Sequence, residues 1–329
     1  MNISFTGYLI IAVGTFLGTL ILTPLARRLA LSRNITDAPD GTRKLQRVPV
    51  PYLGGVALAL SMTLAVAIGL LVKHASSKDI FLALSVMIPA LLLAMVGLLD
   101  DRRSLPVFPR LMSQVIGGAG TAALSGLGGS YSHLTNWPVL DFILTTLWIV
   151  TLINAMNFMD NMDGLSGSIG AVAALGFFAI SLLTHQYFIA SLCIALAGSC
   201  LGFLRMNWAP ARIYMGDAGA LFIGFLLAVI AIRVNMTKVP HGISLLVPLC
   251  ILALPLIDTT TVVVSRIRRG VSPLQGGRDH LSHRVFSLWE RRRTQAISRQ
   301  LTVLTVGTLI AVEVFMVLIA FSLASLSLK

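Results

Sequence analysis

The segment from Asn154 to Gly167, which reads NAMNFMDNMDGLSG, places two carboxylates at the end of a long uncharged stretch. Its polar residues recur at every third position, and they are Asn154, Asn157, Asp160 and Asp163. Residues three apart are neighbours on a helix surface, so these four form a slowly spiralling polar stripe. A polar stripe on an apolar helix predicts a polar ligand beside it.

Four further aspartates lie at the ends of other apolar stretches. Asp100 and Asp101 end the run GLLDD. Asp217 lies in RIYMGDAG before another apolar run, and Asp258 lies just inside a later one. A single aspartate in such a position is commonly a helix cap or the partner of a nearby arginine. So many carboxylates at the ends of apolar runs, in a chain with only 13 acidic residues, indicate a shared purpose.

Clustered aspartates beside basic segments are typical of sites for hard cations and phosphates. Mg²⁺ takes one or two protein carboxylates and completes its shell with water and substrate phosphates. The segment DHLSHR adds His280 and His283, with Arg284 beside them. Two histidines and an aspartate without a further ligand are a weak zinc signal. We therefore interpret them as donors to phosphate or nucleotide, and the whole pattern predicts phosphoryl transfer.

The composition shows where this chemistry would take place. Hydrophobic residues make up 56% of the 329 and charged residues only 12%, against roughly 25% charged in ordinary soluble domains. The mean hydropathy is +0.87. The chain therefore reads as an all-α, polytopic integral membrane helix bundle. We expect a single transmembrane transferase domain over residues 1–329, with no soluble domain.

Apolar runs close to the roughly 20 residues that cross a bilayer predict about ten transmembrane helices. They lie at about 4–26, 52–72, 80–99, 107–128, 138–157, 165–184, 186–204, 218–234, 243–264 and 301–327. The first run starts near Met1 without a basic leader or a small-residue cleavage site, so we expect a retained span and not a signal peptide.

The basic residues predict the orientation of these spans, because lysine and arginine in short loops stay cytoplasmic. Of the 25 such residues, one set of alternate loops holds only Lys73, Lys78, Arg233, Lys238 and Lys329. Both termini are therefore predicted to be extracytoplasmic, with all the aspartates above at the cytoplasmic face. The same bias accounts for much of the net charge of +12 without nucleic acid as a partner.

Four motifs, in this order and each at the cytoplasmic end of a predicted span, carry a resemblance. They are GLLDDRRSLPVFPRLMSQ, NAMNFMDNMDGLSG, NWAPARIYMGDAG and GGRDHLSHRVF. They resemble the polyprenyl-phosphate N-acetylhexosamine-1-phosphate transferases, and the resemblance extends from DAPDGTRKLQRVPVPYLGG to DHLSHR. Members of that family move a sugar 1-phosphate from a UDP-sugar to undecaprenyl phosphate or a relative, releasing UMP.

The resemblance implies an enzyme of the bacterial inner membrane with its active site at the cytoplasmic face. Its product would be an undecaprenyl-pyrophosphoryl-sugar for cell-envelope polysaccharide synthesis, with N-acetylglucosamine or another N-acetylhexosamine as the sugar. The expected cofactor is Mg²⁺, with Mn²⁺ possible. The lipid bilayer, the UDP-sugar and the polyprenyl phosphate are the expected partners, and a homodimer is possible.

Roles transfer to matching positions only. The implied catalytic residues are Asp100, Asp101, Asp217, His280 and His283. The implied substrate-binding residues are Lys44, Arg110, Asn154, Asn157, Asp160, Asp163 and Arg284. Asp217 would ligate the metal, with Asp100 as a second ligand. Two roles for Asp100 stay open, as a proton acceptor or as a group that ligates metal or orients the lipid phosphate. The polar stripe is predicted to face nucleotide.

The sequence departs from the family pattern in three places. Asn161 stands where the family usually has a glycine, so the backbone there is expected to approach a ligand less freely. Gln46 stands where a histidine often follows the Arg-Lys pair, and it receives no catalytic role. DHLSHR lacks the triple histidine of the phospho-MurNAc-pentapeptide translocases, which favours the N-acetylglucosamine branch over that alternative.

Two other classes fit less well. A secondary transporter would use intramembrane acids such as Asp258 and Glu313, but near the midplane and often in matched halves, and no internal repeat is seen. A CDP-alcohol phosphotransferase would continue DG with a spaced Ala-Arg pair, whereas Asp163-Gly164 is followed by LSGS. The sequence assigns no role to Asp258 or Glu313.

The predicted orientation can be tested by cysteine accessibility. On a background without the native cysteines, single cysteines at positions Ser104 and Ser272 should be shielded from an impermeant thiol reagent in intact cells. A cysteine at Ser76 should react, because it lies on the predicted outer side. The opposite labelling pattern would show that the orientation is inverted.

Overall fold

The computed structural model describes residues 3–37, 49–72, 74–127, 135, 137–234, 236, 239–272, 277–292 and 298–328, without the side chains of 125–127. The predicted substrate-binding residue Lys44 and the departure at Gln46 lie outside the described residues. The other predicted site residues are all among the described residues.

The described part of the chain is almost entirely helical, which confirms the all-α prediction. The helices are α1 (Phe5–Ser32), α2 (Gly54–Val72), α3 (Ser77–Arg103), α4 (Val107–Leu127), α5 (Pro138–Met159), α6 (Leu165–Leu183), α7 (Tyr187–Asn207), α8 (Gly216–Arg233), α9 (His241–Ile251), α10 (Ala253–Arg268), α11 (Leu281–Arg292) and α12 (Ser298–Ser327). Two short strands, β1 (Thr36–Asp37) and β2 (Val50–Pro51), pair antiparallel, with Thr36 opposite Pro51.

The helices identify an integral, multi-pass membrane protein. Among the described residues, eight helices are long and apolar enough to span a bilayer, and α9 and α10, bent by 77° relative to each other, make nine if the pair counts as one span. Helix α4 covers the remaining predicted span but falls outside this set, because Arg110 and Gln114 lower its hydropathy. The count of ten spans and the orientation of the termini therefore stay predictions.

Helix α8 lies at the centre of the bundle. Nearly all of its residues are buried, and it packs against α2, α3, α5 and α6. By contrast, α1 and α12 expose many large apolar side chains, as lipid-facing helices do. The central position of α8 means that the residue at its start, Asp217, is placed by several neighbouring helices at once.

Small residues allow α8 to approach its neighbours closely. A Cβ atom added at Gly97 of α3 would lie 2.5 Å from the backbone nitrogen of Ala218, and one added at Gly55 of α2 would lie 2.1 Å from the backbone nitrogen of Gly219. Such contacts are possible only without a side chain, which is why membrane helix interfaces are rich in small residues. These two glycines therefore hold the start of α8 against α2 and α3.

We expect Gly97→Ala to destabilise the protein, because the new methyl group would overlap the backbone of Asp217 and Ala218. Overpacking of this kind costs on the order of 1–3 kcal/mol. Gly69→Ala in α2 is the matched control, since a Cβ there meets nothing within 4 Å. Thermal unfolding in detergent should give a lower midpoint for Gly97→Ala alone, and equal midpoints for both variants would contradict the close approach.

Candidate active site

The C-terminal end of α3 and the first turns of α4 and α8 bring three charged side chains together. The Asp100 carboxylate accepts a hydrogen bond from Arg110 Nη1 at 2.7 Å, and the same nitrogen lies 3.4 Å from Asp217 Oδ2. The second oxygen of Asp100 accepts from the Leu105 backbone N–H at 2.7 Å. Arg110 thus bridges two carboxylates, and we call Asp100, Arg110 and Asp217 the acidic bridge.

The two carboxylates of the acidic bridge differ in how exposed they are. Both oxygens accept hydrogen bonds in Asp100 and in Asp217 alike, so the difference lies in exposure, and Asp100 is buried. Asp217 keeps about a quarter of its side chain exposed, and its contact with Arg110 is the longer one. Of the two metal ligands that the resemblance implies, Asp217 is therefore the more available to a bound cation.

Asp101 caps helix α8. Its two carboxylate oxygens accept hydrogen bonds from the backbone N–H groups of Asp217 at 2.8 Å and Ala218 at 3.3 Å. Gly216 precedes them with φ of +70°, and an added Cβ would lie 2.5 Å from Asp101 Oδ2. A carboxylate at a helix start satisfies otherwise free amides and favours the helix dipole. Asp101 therefore fixes the position of Asp217 relative to Asp100.

The polar stripe on α5 contacts neighbouring helices over its first half. Asn157 Nδ2 donates to Asp217 Oδ1 at 2.6 Å, which joins α5 to the acidic bridge. Asn154 donates to the side chain of Gln114 on α4 and to the Val150 carbonyl oxygen at 2.8 Å. The Asn154 amide therefore pairs with a polar residue across a helix interface, and its predicted role toward nucleotide stays a prediction.

The second half of the stripe forms a turn between α5 and α6. Asp163 accepts a hydrogen bond from the Ala211 N–H at 2.9 Å, and the Gly164 N–H donates to Asn207 at 3.1 Å. Gly164 has φ of +76°, a conformation that favours glycine and lets the chain turn into α6. Asp163 therefore ties this turn to the segment before α8.

Asp160 differs from the other carboxylates because its side chain accepts no hydrogen bond from the described residues, although it is partly exposed. Burial and the negative charges of Asp101 and Asp163 raise its pKa to about 7. A carboxylate near other carboxylates and short of donors is stabilised by a cation or by a ligand that donates hydrogen bonds. Asp160 is thus suited to a ligand that donates hydrogen bonds.

The DHLSHR segment, which carries His280, is held by Asp258 on α10. The sequence assigned no role to Asp258. Its Oδ2 lies 2.8 Å from His280 Nδ1, and its Oδ1 accepts from the Leu281 N–H at 2.6 Å. Because a carboxylate only accepts hydrogen bonds, Nδ1 of His280 carries the proton and Nε2 is left for another partner. Asp258 therefore orients His280.

Asp279 anchors the same segment to α10. Its carboxylate accepts two hydrogen bonds from Arg266, at 2.8 and 2.9 Å, and one from Arg269 at 2.7 Å. The hydrogen bond with Arg266 is the main reason that the pKa of Asp279 falls to about 2. Arg266 also lies over the Phe158 ring, 5.5 Å from its centroid. Such a bidentate pair defines a fixed geometry.

His283 and Arg284 lie on α11, a helix that forms within the long polar stretch of the sequence. Burial and the neighbouring His280 lower the pKa of His283, so its neutral form is favoured. Arg284 is more exposed, and its Nε donates to the Asp279 carbonyl oxygen at 3.2 Å.

The end of α5 links the acidic bridge to the histidines. Asn157 bonds to Asp217, while the next residue, Phe158, packs edge-on against His280 with ring centroids 5.6 Å apart. Asn161 accepts a hydrogen bond from the Ser282 hydroxyl. The asparagine that replaces a usual glycine therefore joins two of the motifs. The two halves of the site are thus connected through one helix end.

Two tyrosines beside the site were missed by sequence reasoning. Tyr214 donates its backbone N–H to the Pro51 carbonyl oxygen at 2.9 Å, and its ring lies 6.2 Å from that of Tyr52. Burial, followed by nearby aspartates, raises the pKa of both phenols. Tyr52 follows a polar loop and Tyr214 precedes the Asp217 motif, but neither belongs to a spacing pattern that would have marked it as a site residue.

A helical membrane bundle with carboxylates, arginine and histidines gathered at its helix ends has the features of a membrane-embedded enzyme. Residues 83–235 match the family described as Glycosyl transferase family 4. The chain is 30% identical over 278 residues to a decaprenyl-phosphate N-acetylglucosaminephosphotransferase of Mycolicibacterium smegmatis, covering 74% of this chain and 67% of the relative.

Two further relatives carry related names. A probable undecaprenyl-phosphate N-acetylglucosaminyl 1-phosphate transferase of Bacillus subtilis is 26% identical, over 83% of this chain and 75% of the relative. An undecaprenyl-phosphate alpha-N-acetylglucosaminyl 1-phosphate transferase of Salmonella typhimurium is 28% identical over the same shares. The chain belongs to glycosyl transferase family 4, which confirms the resemblance carried by the four motifs.

The raised pKa of Asp160 predicts how stability depends on pH. Because the carboxyl binds its proton more tightly in the folded chain than at the usual value of 3.8, it stabilises the fold at low pH. That stabilisation is lost as the pH rises from about 4 to about 7. The thermal midpoint in detergent should therefore fall between pH 5 and pH 8, and fall less in Asp160→Asn. The same fall in both proteins would contradict this.

Proposed function

We propose that this protein transfers N-acetylglucosamine 1-phosphate, or another N-acetylhexosamine 1-phosphate, from a UDP-sugar to undecaprenyl phosphate. The products are UMP and an undecaprenyl-pyrophosphoryl-sugar for cell-envelope polysaccharide synthesis. The observation that carries the proposal is the acidic bridge, connected through α5 to an oriented histidine, in a chain whose relatives bear the names of such transferases. The site would lie at the cytoplasmic face of the bacterial inner membrane.

The reaction needs little covalent help from the protein. An oxygen of the lipid phosphate attacks the phosphorus next to the sugar, a new P–O–P linkage forms, and the bond to UMP breaks. A phosphate monoester has a second pKa of about 6, so the attacking oxygen is largely ionised at neutral pH without a protein base. Positioning and charge neutralisation then dominate catalysis.

This requirement suits a positioning role for Asp100. Each of its oxygens already accepts a hydrogen bond, one from Arg110 and the other from the Leu105 N–H. Asp100 thereby holds the Arg110 guanidinium in place, and that group can donate to phosphate oxygens. Of the two roles left open by the sequence, orientation of the phosphate through Arg110 therefore fits the geometry better than proton abstraction.

The residues fit a magnesium ion, with manganese as an alternative. Among the described residues, no group of three or more histidine, cysteine or acidic side chains could hold a metal by itself. Magnesium needs only one or two carboxylates when phosphates complete its shell. Asp217 would hold it, since the side chain is partly exposed and its contact with Arg110 is long. The ion supplies neutralisation of the pyrophosphate charge when it is bound.

The remaining side chains supply polar groups around the substrates. Arg284 is exposed and offers guanidinium donors to the diphosphate. His280 presents Nε2 as a hydrogen-bond acceptor, because the proton on Nδ1 is held by Asp258. Lys44 is proposed to belong to the same ring of positive charge. Asp160 would accept hydrogen bonds from the nucleotide sugar. These groups all come from one chain, so activity would not require the possible homodimer.

The transporter alternative is weakened by what the two unassigned acids contact. Asp258 is occupied by His280 and the Leu281 N–H, and Glu313 accepts a hydrogen bond from the Leu254 N–H. Both acids thus serve local structure, whereas the coupling residues of a transporter form an ion or substrate site near the bilayer midplane, at the interface between structural repeats.

The proposal is tested with purified protein, undecaprenyl phosphate, Mg²⁺ and a panel of UDP-sugars, following UMP and lipid-linked product. UDP-N-acetylglucosamine or a close N-acetylated relative should be turned over. UDP-glucose should give a negligible rate, because a site that hydrogen-bonds an acetamido group can disfavour a sugar without that group by about 10⁴. UDP-MurNAc-pentapeptide should also give a negligible rate, because DHLSHR lacks the triple histidine that accompanies this donor in the family. Equal rates with UDP-glucose would show that the acetamido group is not recognised, and no product with any sugar would refute the proposal.

In the same assay, EDTA should abolish turnover, and Asp217→Asn should lower it by about 100-fold or more, the cost of losing one electrostatic contact to a transition state. Asp79→Asn is the matched control, because Asp79 caps the opposite end of α3. Full activity of Asp217→Asn would exclude it as the metal ligand.

A further inference from the structure

The apolar helix pair α9 and α10 is broken at Leu252, with a bend of 77° between the two helices. Pro255 explains the break, since it has no N–H and its ring would clash with the carbonyl four residues earlier, at Ile251. Ile251 is the last residue of α9. The break leaves the first backbone N–H groups of α10 without partners inside the helix, within an apolar bundle.

Glu313 on α12 meets one of these free donors. Its Oε2 accepts a hydrogen bond from the Leu254 N–H at 3.2 Å. The residue is completely buried, and its other oxygen has no hydrogen-bond partner among the described residues. A carboxyl group inside a membrane bundle is costly, so its presence indicates a function. Here the structure shows a contact that fixes the start of a bent half-helix.

Leu254, whose N–H bonds to Glu313, also packs near the Asp160–Gly164 turn and near the segment that carries His280. The Leu254 side chain is buried in a small apolar cluster with Met159 and Leu165, the residues on either side of the Asp160–Gly164 turn. Leu281, which directly follows His280, packs against the same cluster. A displacement of Leu254 would therefore shift both the Asp160–Gly164 turn and His280.

The position of α10 also determines where the DHLSHR segment is held. Asp258 lies one turn after Leu254 and holds His280, while Arg266 lies two turns further on and holds Asp279. The start of α10 therefore sets the position of the residues that anchor the DHLSHR segment.

We propose that Glu313 is a positioning residue that caps the bent half-helix α10 and thereby places His280 and the Asp160–Gly164 turn. The inference rests on the proposed function, because it concerns the same site. What matters is an acceptor oxygen at the right reach, and not the charge of the carboxylate. This view makes opposite predictions for two conservative substitutions.

Glu313→Gln keeps an acceptor at the same distance, and Glu313→Asp keeps the carboxyl group but withdraws it by one methylene. In the transferase assay, Glu313→Gln should retain activity within about twofold of the parent. Glu313→Asp should lower kcat/KM by at least about 10-fold, since misplacement by about 1 Å can cost 100-fold. Ser322→Ala, in the same helix with a hydroxyl bonded only locally, is the control. Equal losses in both Glu313 variants would overturn the proposal.

A double-mutant cycle separates positioning from general destabilisation. If Glu313 acts through α10, Glu313→Asp should cost less than about twofold in a protein that already carries Asp258→Asn, because both changes disturb one element. Independent, multiplying losses would contradict the proposal. If Glu313→Asp does not fold, Glu313→Gln decides by itself: retained activity supports an acceptor role, and lost activity overturns it.

Hydrogen–deuterium exchange gives a readout that does not depend on activity. The peptide containing residues 252–258 should stay protected in Glu313→Gln and exchange faster in Glu313→Asp. If the parent protein transfers no sugar phosphate, the proposed function fails, while this measurement still tests the cap. If the parent is active and the peptide is equally protected in both variants, only the proposal for Glu313 fails.

Discussion

The site depends on the bridge that Arg110 makes between Asp100 and Asp217. Two carboxylates brought close together at the ends of apolar helices repel each other, and an arginine between them makes the arrangement favourable. The bridge joins α3, α4 and α8, while Asn157 extends it to α5. Because Phe158 follows Asn157 and packs on His280, the same contacts also relate the acidic bridge to the histidine segment.

Carboxylates serve a second purpose throughout this bundle, which is to satisfy backbone N–H groups that helices leave free. Asp101 does this at the start of α8, Glu313 at the start of α10, and Asp163 for Ala211 in the segment before α8. Unsatisfied backbone donors are costly in an apolar bundle, so such contacts fix where helices begin. The positions of Asp217 and His280 follow from these caps.

Much of this could be predicted from the sequence. Span-length apolar runs fix the helical membrane class, because only closed backbone hydrogen bonding is tolerated in a bilayer. Helix ends rich in aspartate mark the acidic site, and four motifs in order identify the family. The sequence also marked Asp217, Arg110 and His280, since charged and polar side chains beside apolar runs are conspicuous by type alone.

Which polar residue contacts which was decided by the tertiary structure. Asn154 and Asn157 have the same type and lie on one stripe, yet one pairs with Gln114 and the other with Asp217. Asp258 and Glu313 look alike as acids in apolar spans, but only packing shows that one orients a histidine and the other caps a broken helix. Spacing along one helix determines the face on which a side chain lies, whereas the neighbouring helix determines its partner.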